Sequence, residues 1–189
     1  MGKLKDKSIE VGLKIDPEKD NAYFNKKNGR KKKFESQNYS NSDATEKLIE
    51  YCLDEKKMLH NMFRCYGAPN TTDYNTVAAA FNCIRKLKNQ NHDRLMNHFV
   101  IPLNEKATQE FGLDGLKEIT EAYIEPIAKD FQLVYAIHED KGKTLHSHIA
   151  FNHTSYTTGL RHRRPKGFIN QELDRLQAIV NQIREKKST

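Results

Sequence analysis

Apolar positions in this chain recur with two periods, and the switches between them mark out its elements. Ile9, Val11, Leu13 and Ile15 alternate with polar residues and predict a strand over Ser8 to Ile15, ended by Asp16-Pro17. From Asn21 to Ser42 no apolar period survives. Asp43 then opens a helix, with Glu46 three residues on in a capping-box position. Leu48, Ile49, Cys52 and Leu53 form its buried stripe, and Tyr51 borders that stripe. Met58 to Thr72 contains Gly67-Ala68-Pro69-Asn70 and reads as a loop. A second helix starts near Asp73 and carries Val77, Ala80, Phe81, Ile84 and Leu87 on one face. Met96 to Leu103 is strand-like. Leu113 to Lys129 is helical by period through Leu116, Ile119, Tyr123 and Ile127, with Pro126 ending or kinking its last turn. A final helix from about Asn170 places Leu173, Leu176, Val180 and Ile183 on one face.

The most informative pattern runs from Phe131 to Asn152. Gln132 to His138 alternates and is rich in apolar and β-branched residues, and Thr144 to Asn152 does the same. Between them lies the polar stretch Glu139-Asp140-Lys141-Gly142-Lys143, in which Gly142 can supply the positive φ of a tight reversal. A β-hairpin follows. The order strand, helix, helix, strand, helix, strand, strand, helix then predicts an α+β fold, a central antiparallel β-sheet of about five strands flanked by helices.

Parity along the hairpin brings chemistry into view. His146, His148, Ala150 and Asn152 share one face of their strand, and His138 shares a face with Ala136 and Val134. With the turn centred near Gly142, His138 lies opposite His146, and directly opposed Cβ atoms sit roughly 4.5–5.5 Å apart on the same face. His148 is the next neighbour on that face. Three neutral imidazoles so placed can each bind a divalent metal at about 2.0–2.1 Å. Histidines at i and i+2 also occur simply as polar residues on a wet strand face. Three converging at the mouth of a turn favour the metal reading.

Composition narrows the setting. The chain has 189 residues, enough for one domain with a real core. It divides into residues 1–42, a strand and a basic arm, and residues 43–189. No apolar run approaches the roughly 20 residues of a membrane span, and Met1–Ile15 lacks the apolar region of a secretory signal, so membrane insertion is not expected. Cys52, Cys65 and Cys83 are odd in number and fall in no CxxC spacing, which fits a reduced, intracellular protein. A net charge of +7 favours a polyanionic partner. The charge is concentrated in two clusters, Arg30, Lys31, Lys32 and Lys33 in the arm and Arg161, Arg163, Arg164 and Lys166 before the last helix. Each is either a solvated run or a set of phosphate contacts. Tyr23, Phe24, Phe34 and Tyr39 lie near the first cluster and can stack on bases.

Three segments, taken in order, resemble the relaxases of plasmid and integrative-element mobilisation, within the HUH endonucleases. His138-Glu139-Asp140 followed by His146-Ser147-His148-Ile149-Ala150-Phe151-Asn152 is similar to their metal motif. Glu46 to Lys56, EKLIEYCLDEK, looks like the segment bearing their nucleophilic tyrosine. Asn97 to Leu103 is a looser match to a strand that follows it. Thr144 stands where many relatives have another histidine, and Ser147 where an apolar residue is usual. The resemblance covers about residues 44–152. It implies a cytoplasmic bacterial enzyme that nicks and rejoins single-stranded or hairpin DNA at an origin of transfer, working with accessory mobilisation proteins and a coupling protein. It further implies a 5′-phosphotyrosyl link and a free 3′-OH.

In that reading His138, His146 and His148 hold a divalent ion, Mn2+ or Mg2+ by cellular supply. Asp140 orients an imidazole or is an ordinary turn residue, and Asn152 is a further polar member of the site or ends the strand. Of the eight tyrosines, Tyr123 and Tyr135 fall on apolar faces. Tyr51 carries the motif resemblance and is the expected nucleophile, with Tyr66 next. A rolling-circle replication initiator would share this chemistry. A DNA-binding module would use the histidines for a structural zinc ion and cut nothing. A metallohydrolase with a three-histidine site is a third alternative, although no HExxH segment supports a peptidase.

Overall fold

The computed structural model describes residues 11–15, 39–140 and 142–187. Five strands form one sheet: β1 (Lys14–Ile15), β2 (Met58–Tyr66), β3 (Met96–Pro102), β4 (Phe131–Glu139) and β5 (Leu145–Ser155). Their order across the sheet is β1-β3-β5-β4-β2, and every neighbouring pair is antiparallel. Among the described residues four helices cover it: α1 (Ala44–Cys52), α2 (Tyr74–Leu87), α3 (Glu105–Ala128) and α4 (Phe168–Lys187). The architecture is the expected α+β sandwich.

Strand alternation sorts the core into two layers. Phe99, Ile101, Leu133, Tyr135, Ile137, Ile149 and Phe151 point to α3 and α4, whose Phe111, Leu116, Ile119, Tyr123, Leu176, Val180 and Ile183 cover them. Val11 and Leu13 join this layer, so the N-terminal strand belongs to the same core as the rest. Met96, Val134 and Ala150 point to the opposite face, beneath Leu48, Ile49 and Cys52 of α1 and Val77, Ala78 and Phe81 of α2. The histidine face of the hairpin is therefore the α1/α2 face.

The hairpin register is as expected, with His138 opposite His146 and Ala136 opposite His148. Asp140 N–H donates to Thr144 O at 3.0 Å and Lys143 N–H to Asp140 O at 2.8 Å, and positive φ falls on Lys143 (59°).

The segment expected to be a loop, Met58 to Thr72, is in its first part the edge strand β2. Its register shifts between Met58 and Phe63, where His60 and Asn61 both take positive φ. Such a bulge removes the period of two that identifies a strand. Helix α3 begins at Glu105, eight residues before the apolar period does, because the Asn104 side chain caps it by accepting from Ala107 N–H at 2.8 Å. Gly112 interrupts it with φ 61° and ψ −165°, a conformation essentially restricted to glycine. The helix closes at Ala128, two residues beyond Pro126.

Two local expectations are corrected. Asp43 makes no side-chain cap on α1 but pairs with Lys47 at 2.6 Å, and Glu46 instead accepts from Asn82 Nδ2 at 2.7 Å. The buried face of α2 is rotated toward Val77, Ala78, Phe81 and Arg85, leaving Leu87 exposed. Arg85 is completely buried because polar groups surround it. It donates to Thr45 Oγ1 at 2.6 Å, to Asn152 Oδ1 at 3.2 Å and to Asn82 Oδ1.

Candidate metal centre

Each hairpin strand delivers its histidines to the α1/α2 face simply by pleating. His138 comes from β4, His146 and His148 from β5, and one nitrogen of each lies within 4.8 Å of the others. Two nitrogens that share one ion at bond lengths of about 2.1 Å cannot lie more than about 4.2 Å apart, so holding an ion would draw the rings slightly together.

Hydrogen bonds decide which nitrogens face the centre. His138 Nε2 is 2.8 Å from Cys52 O, the carbonyl at the end of α1. A carbonyl only accepts, so Nε2 carries the proton and Nδ1 keeps its lone pair. That Nδ1 is buried and has no hydrogen-bond partner, and the same is true of His148 Nε2. Leaving a buried polar atom unsatisfied costs about 1–3 kcal/mol, a cost that a cation bound by these lone pairs offsets. Burial, reinforced by neighbouring imidazoles, pushes the pKa of both His138 and His148 below the ordinary range. Both rings are neutral at pH 7, the form that ligates. The donor set fits a divalent ion.

Three further groups close the centre. The Asp140 carboxylate lies 3.6 Å from His146 Nδ1. The Tyr51 ring stands edge-on to His148 at 5.0 Å between centroids, with His98 at 6.1 Å and His138 at 6.3 Å. Tyr51 is 44% exposed, so it borders the centre while remaining open to solvent. Lys57 Nζ sits 4.9 Å from the centroid of its ring, a cation–π arrangement.

The other tyrosines are placed differently. Tyr66 packs against the α3/α4 layer beneath Arg64, and Tyr123 and Tyr135 are buried in that layer and donate to Glu172 and Glu121. Asn152 is on the histidine face but two positions beyond Ala150. There it bonds to Arg85, to Phe81 O and to Gln132 Oε1, in a network separate from the imidazoles.

Of the basic clusters, Arg30 to Lys33 lies outside the described residues. Arg161 is engaged by Asp93 at 3.0 Å and by the carbonyls of His92 and Arg94. Arg164 donates to Asn97 Oδ1 at 2.9 Å and lies over the Phe99 ring. Arg163 and Lys166 are exposed. Phe99 belongs to the α3/α4 layer, so this cluster is anchored on the opposite face of the sheet from the histidines.

His98, Tyr39 and Lys57 are the neighbours that sequence reasoning did not assign to the centre. His98 is on β3 opposite Ala150, hence on the histidine face, and its Nε2 is 3.0 Å from His148 Nδ1. Only the pairing of β3 with β5 brings it there, and no local pattern encodes that pairing.

His153 lies outside the centre, against Asn97 and the His162 ring, and adds to the acid sensitivity of the fold. Burial and the nearby Arg161 guanidinium hold its pKa at about 3. The folded pKa values of His138, His148 and His153 all lie below the unfolded value of about 6.5. Their contribution to stability is therefore complete above about pH 6.5 and is lost as pH falls below it. The melting temperature of the metal-free protein should fall by several degrees between pH 7 and pH 5, and His153→Gln should flatten that slope. An equal slope in the variant would remove His153 from the account.

The family model described as "Relaxase: MobA/VirD2-like, nuclease domain" matches residues 51–188. No curated protein matches the chain.

Proposed function

Because the chain belongs to the MobA/VirD2-like relaxase nuclease family, we propose that it nicks and rejoins one strand of single-stranded or hairpin DNA at an origin of transfer, starting conjugative mobilisation. The nucleophile is the Tyr51 hydroxyl. The observation that carries this reading is a solvent-open tyrosine ring 5.0 Å from His148, in a histidine triad where two buried nitrogens lack any hydrogen-bond partner.

A phosphodiester resists attack because its anionic oxygens repel nucleophiles and its alkoxide leaving group is poor. A divalent ion held by His138, His146 and His148 supplies Lewis-acid polarisation of the scissile phosphate. The phenol of a tyrosine has a pKa of about 10 and is mostly protonated at neutral pH. Lys57, with its ammonium 4.9 Å from the ring centroid, favours the phenolate by charge. Tyr51 Oη bonds to phosphorus, the P–O3′ bond breaks, and the 3′ oxygen leaves and takes up the proton that the phenol gave to solvent. The phosphodiester is conserved as a 5′-phosphotyrosyl link, so the reverse attack by the 3′-OH reseals the strand without ATP. Arg163 and Lys166, both exposed and outside the metal centre, and the cluster Arg30, Lys31, Lys32 and Lys33 hold the DNA backbone away from the scissile phosphate, with an affinity that falls steeply with salt. Asp140, 3.6 Å from His146 Nδ1, is placed to orient that ring. Accessory mobilisation proteins and a coupling protein supply origin choice and delivery. Mn2+ or Mg2+ is the working ion. Among the described residues no helix is long and apolar enough to cross a membrane.

The test uses labelled single-stranded oligonucleotides tiled across the DNA flanking the chain's own gene. With Mn2+ the wild-type protein should yield an SDS-stable protein–DNA adduct and a shortened 3′-OH strand, and EDTA should remove both. The double variant His146→Ala/His148→Ala should lose the adduct and bind Mn2+ at least about 100-fold more weakly. A wild-type protein that only shifts the DNA, with every metal tried, is a binding module instead.

A further inference from the structure

We propose that His98 is a positioning residue for the metal centre, accepting the Nδ1–H of His148 and so directing the His148 Nε2 lone pair at the triad. This inference rests on the metal-centre reading above, although its first test does not use a metal.

The two rings lie with His98 Nε2 3.0 Å from His148 Nδ1, nearly parallel at 26° and 5.1 Å apart between centroids. Only one of the two facing nitrogens can carry the shared proton. Were His98 the donor, neutral His148 would carry its own proton on Nε2, and a buried N–H would face the centre with no acceptor. Orphaned buried N–H groups are rare, and such a nitrogen cannot ligate. With His148 the donor, its Nε2 keeps a lone pair aimed at the other ligands. His98 then holds its own proton on Nδ1, which lies 3.3 Å from Tyr39 Oη. A hydroxyl oxygen can accept that proton. The run His148 Nδ1–H to His98 Nε2, then His98 Nδ1–H to Tyr39 Oη, gives each of the two imidazole protons an acceptor.

The rest of the centre has the same logic. A backbone carbonyl fixes the tautomer of His138, and a carboxylate stands beside His146. His98 completes the set, so that each imidazole of the triad has an outer neighbour on a different element: α1, the hairpin turn and β3. Val100, directly opposite His148 on β3, offers no polar side chain for this task, and His98, diagonal to His148, does. Outer partners of this kind orient a ligating imidazole and set its basicity. Tyr39 belongs to the same device: its ring is edge-on to His98 at 6.4 Å, and its carbonyl is tied to Leu95 N–H at the start of β3.

The imidazole tautomers can be read by long-range 1H–15N NMR on the metal-free protein at pH 7.5. His148 should be the Nδ1–H form in the wild type, and should lose that fixed form in His98→Leu. A wild-type His148 protonated on Nε2 overturns the proposal. Next, Mn2+ affinity is measured by calorimetry for the wild type, His98→Leu and His98→Gln, whose amide oxygen can replace the acceptor. His98→Leu should bind about 10–100-fold more weakly, and His98→Gln should recover most of the loss. Equal affinity in all three overturns the role of His98. Equal weakening in both variants, with melting temperatures lowered alike, assigns His98 to packing only and also overturns it. A wild type that binds no Mn2+ while showing the Nδ1–H tautomer would instead refute the metal reading of the triad.

Discussion

Tyr51→Phe should bind single-stranded DNA within a few-fold of wild type and form no covalent adduct at all. The substitution removes one oxygen and retains everything else that the ring does. The edge-on packing on His148 and the cation–π contact of Lys57 need only the aromatic face. Because the ring is 44% exposed, losing the hydroxyl should change stability by no more than about 0.5 kcal/mol. A nucleophile cannot be partly replaced, however. Strand transfer to protein ends with it, and any residual nicking must use water and leave a 5′-phosphate free of protein. Adduct formation is scored on denaturing gels, alongside binding by fluorescence anisotropy. An adduct that persists in the variant would move the nucleophile to Tyr39, whose hydroxyl reaches His98. Tyr66, the second choice from sequence, packs on the other layer of the sheet.

The contrast between Tyr51 and His98 shows what the sequence could and could not disclose. The hairpin was legible because all its information is local. A period of two on each side of a five-residue polar turn fixes both register and face, so His138 and His146 could be set opposite one another from the text alone. Helix α1 was legible for a similar reason, its 3–4 spacing putting Tyr51 at the margin of the buried stripe. β2 was hidden by its bulge, since the positive φ at His60 and Asn61 breaks the alternation by which strands are recognised. His98 was hidden by topology. β3 and β5 are separated in sequence by α3 and β4, and nothing in Met96 to Leu103 says that its even-numbered side chains will face the hairpin's histidines. Arg85 was hidden by chemistry. The helical period alone places it with Val77, Ala78 and Phe81, but charged residues are almost never fully buried unless paired, which turns a reader toward Ile84 and Leu87.

Arg85→Met should destabilise the fold by about 3–5 kcal/mol, the range found when one partner of a buried ion pair is removed, the charge left behind here being Glu46. Methionine can fill much of the volume, so packing is not the main loss. The loss comes from what the guanidinium leaves behind. Thr45 Oγ1 and the side-chain oxygens of Asn82 and Asn152 each lose a donor in a region closed to water. An unsatisfied buried group costs about 1–3 kcal/mol. Burial holds the Arg85 pKa down at about 10, while the charge of Glu46 acts in the opposite direction, so the residue stays cationic at neutral pH. Removing it also leaves Glu46, whose Oε2 has no hydrogen-bond partner, without a compensating charge. The consequence extends to the metal centre. Thr45 and Glu46 belong to α1, Asn82 to α2 and Asn152 to β5, and Asn152 passes the network on through Gln132 to Gly67 O and Ala80 O. This is the polar seam that fixes α1 on the sheet, and α1 carries both Tyr51 and the Cys52 carbonyl bonded to His138. Arg85→Met should therefore lower the urea midpoint with little change in the slope, and weaken Mn2+ binding even at temperatures where the protein remains folded. Arg85→Lys, which keeps the charge but offers three donors from a single nitrogen instead of a planar fork, should recover only part of the stability. An Arg85→Met protein as stable as wild type would mean that the seam is not what holds the tyrosine helix against the histidines.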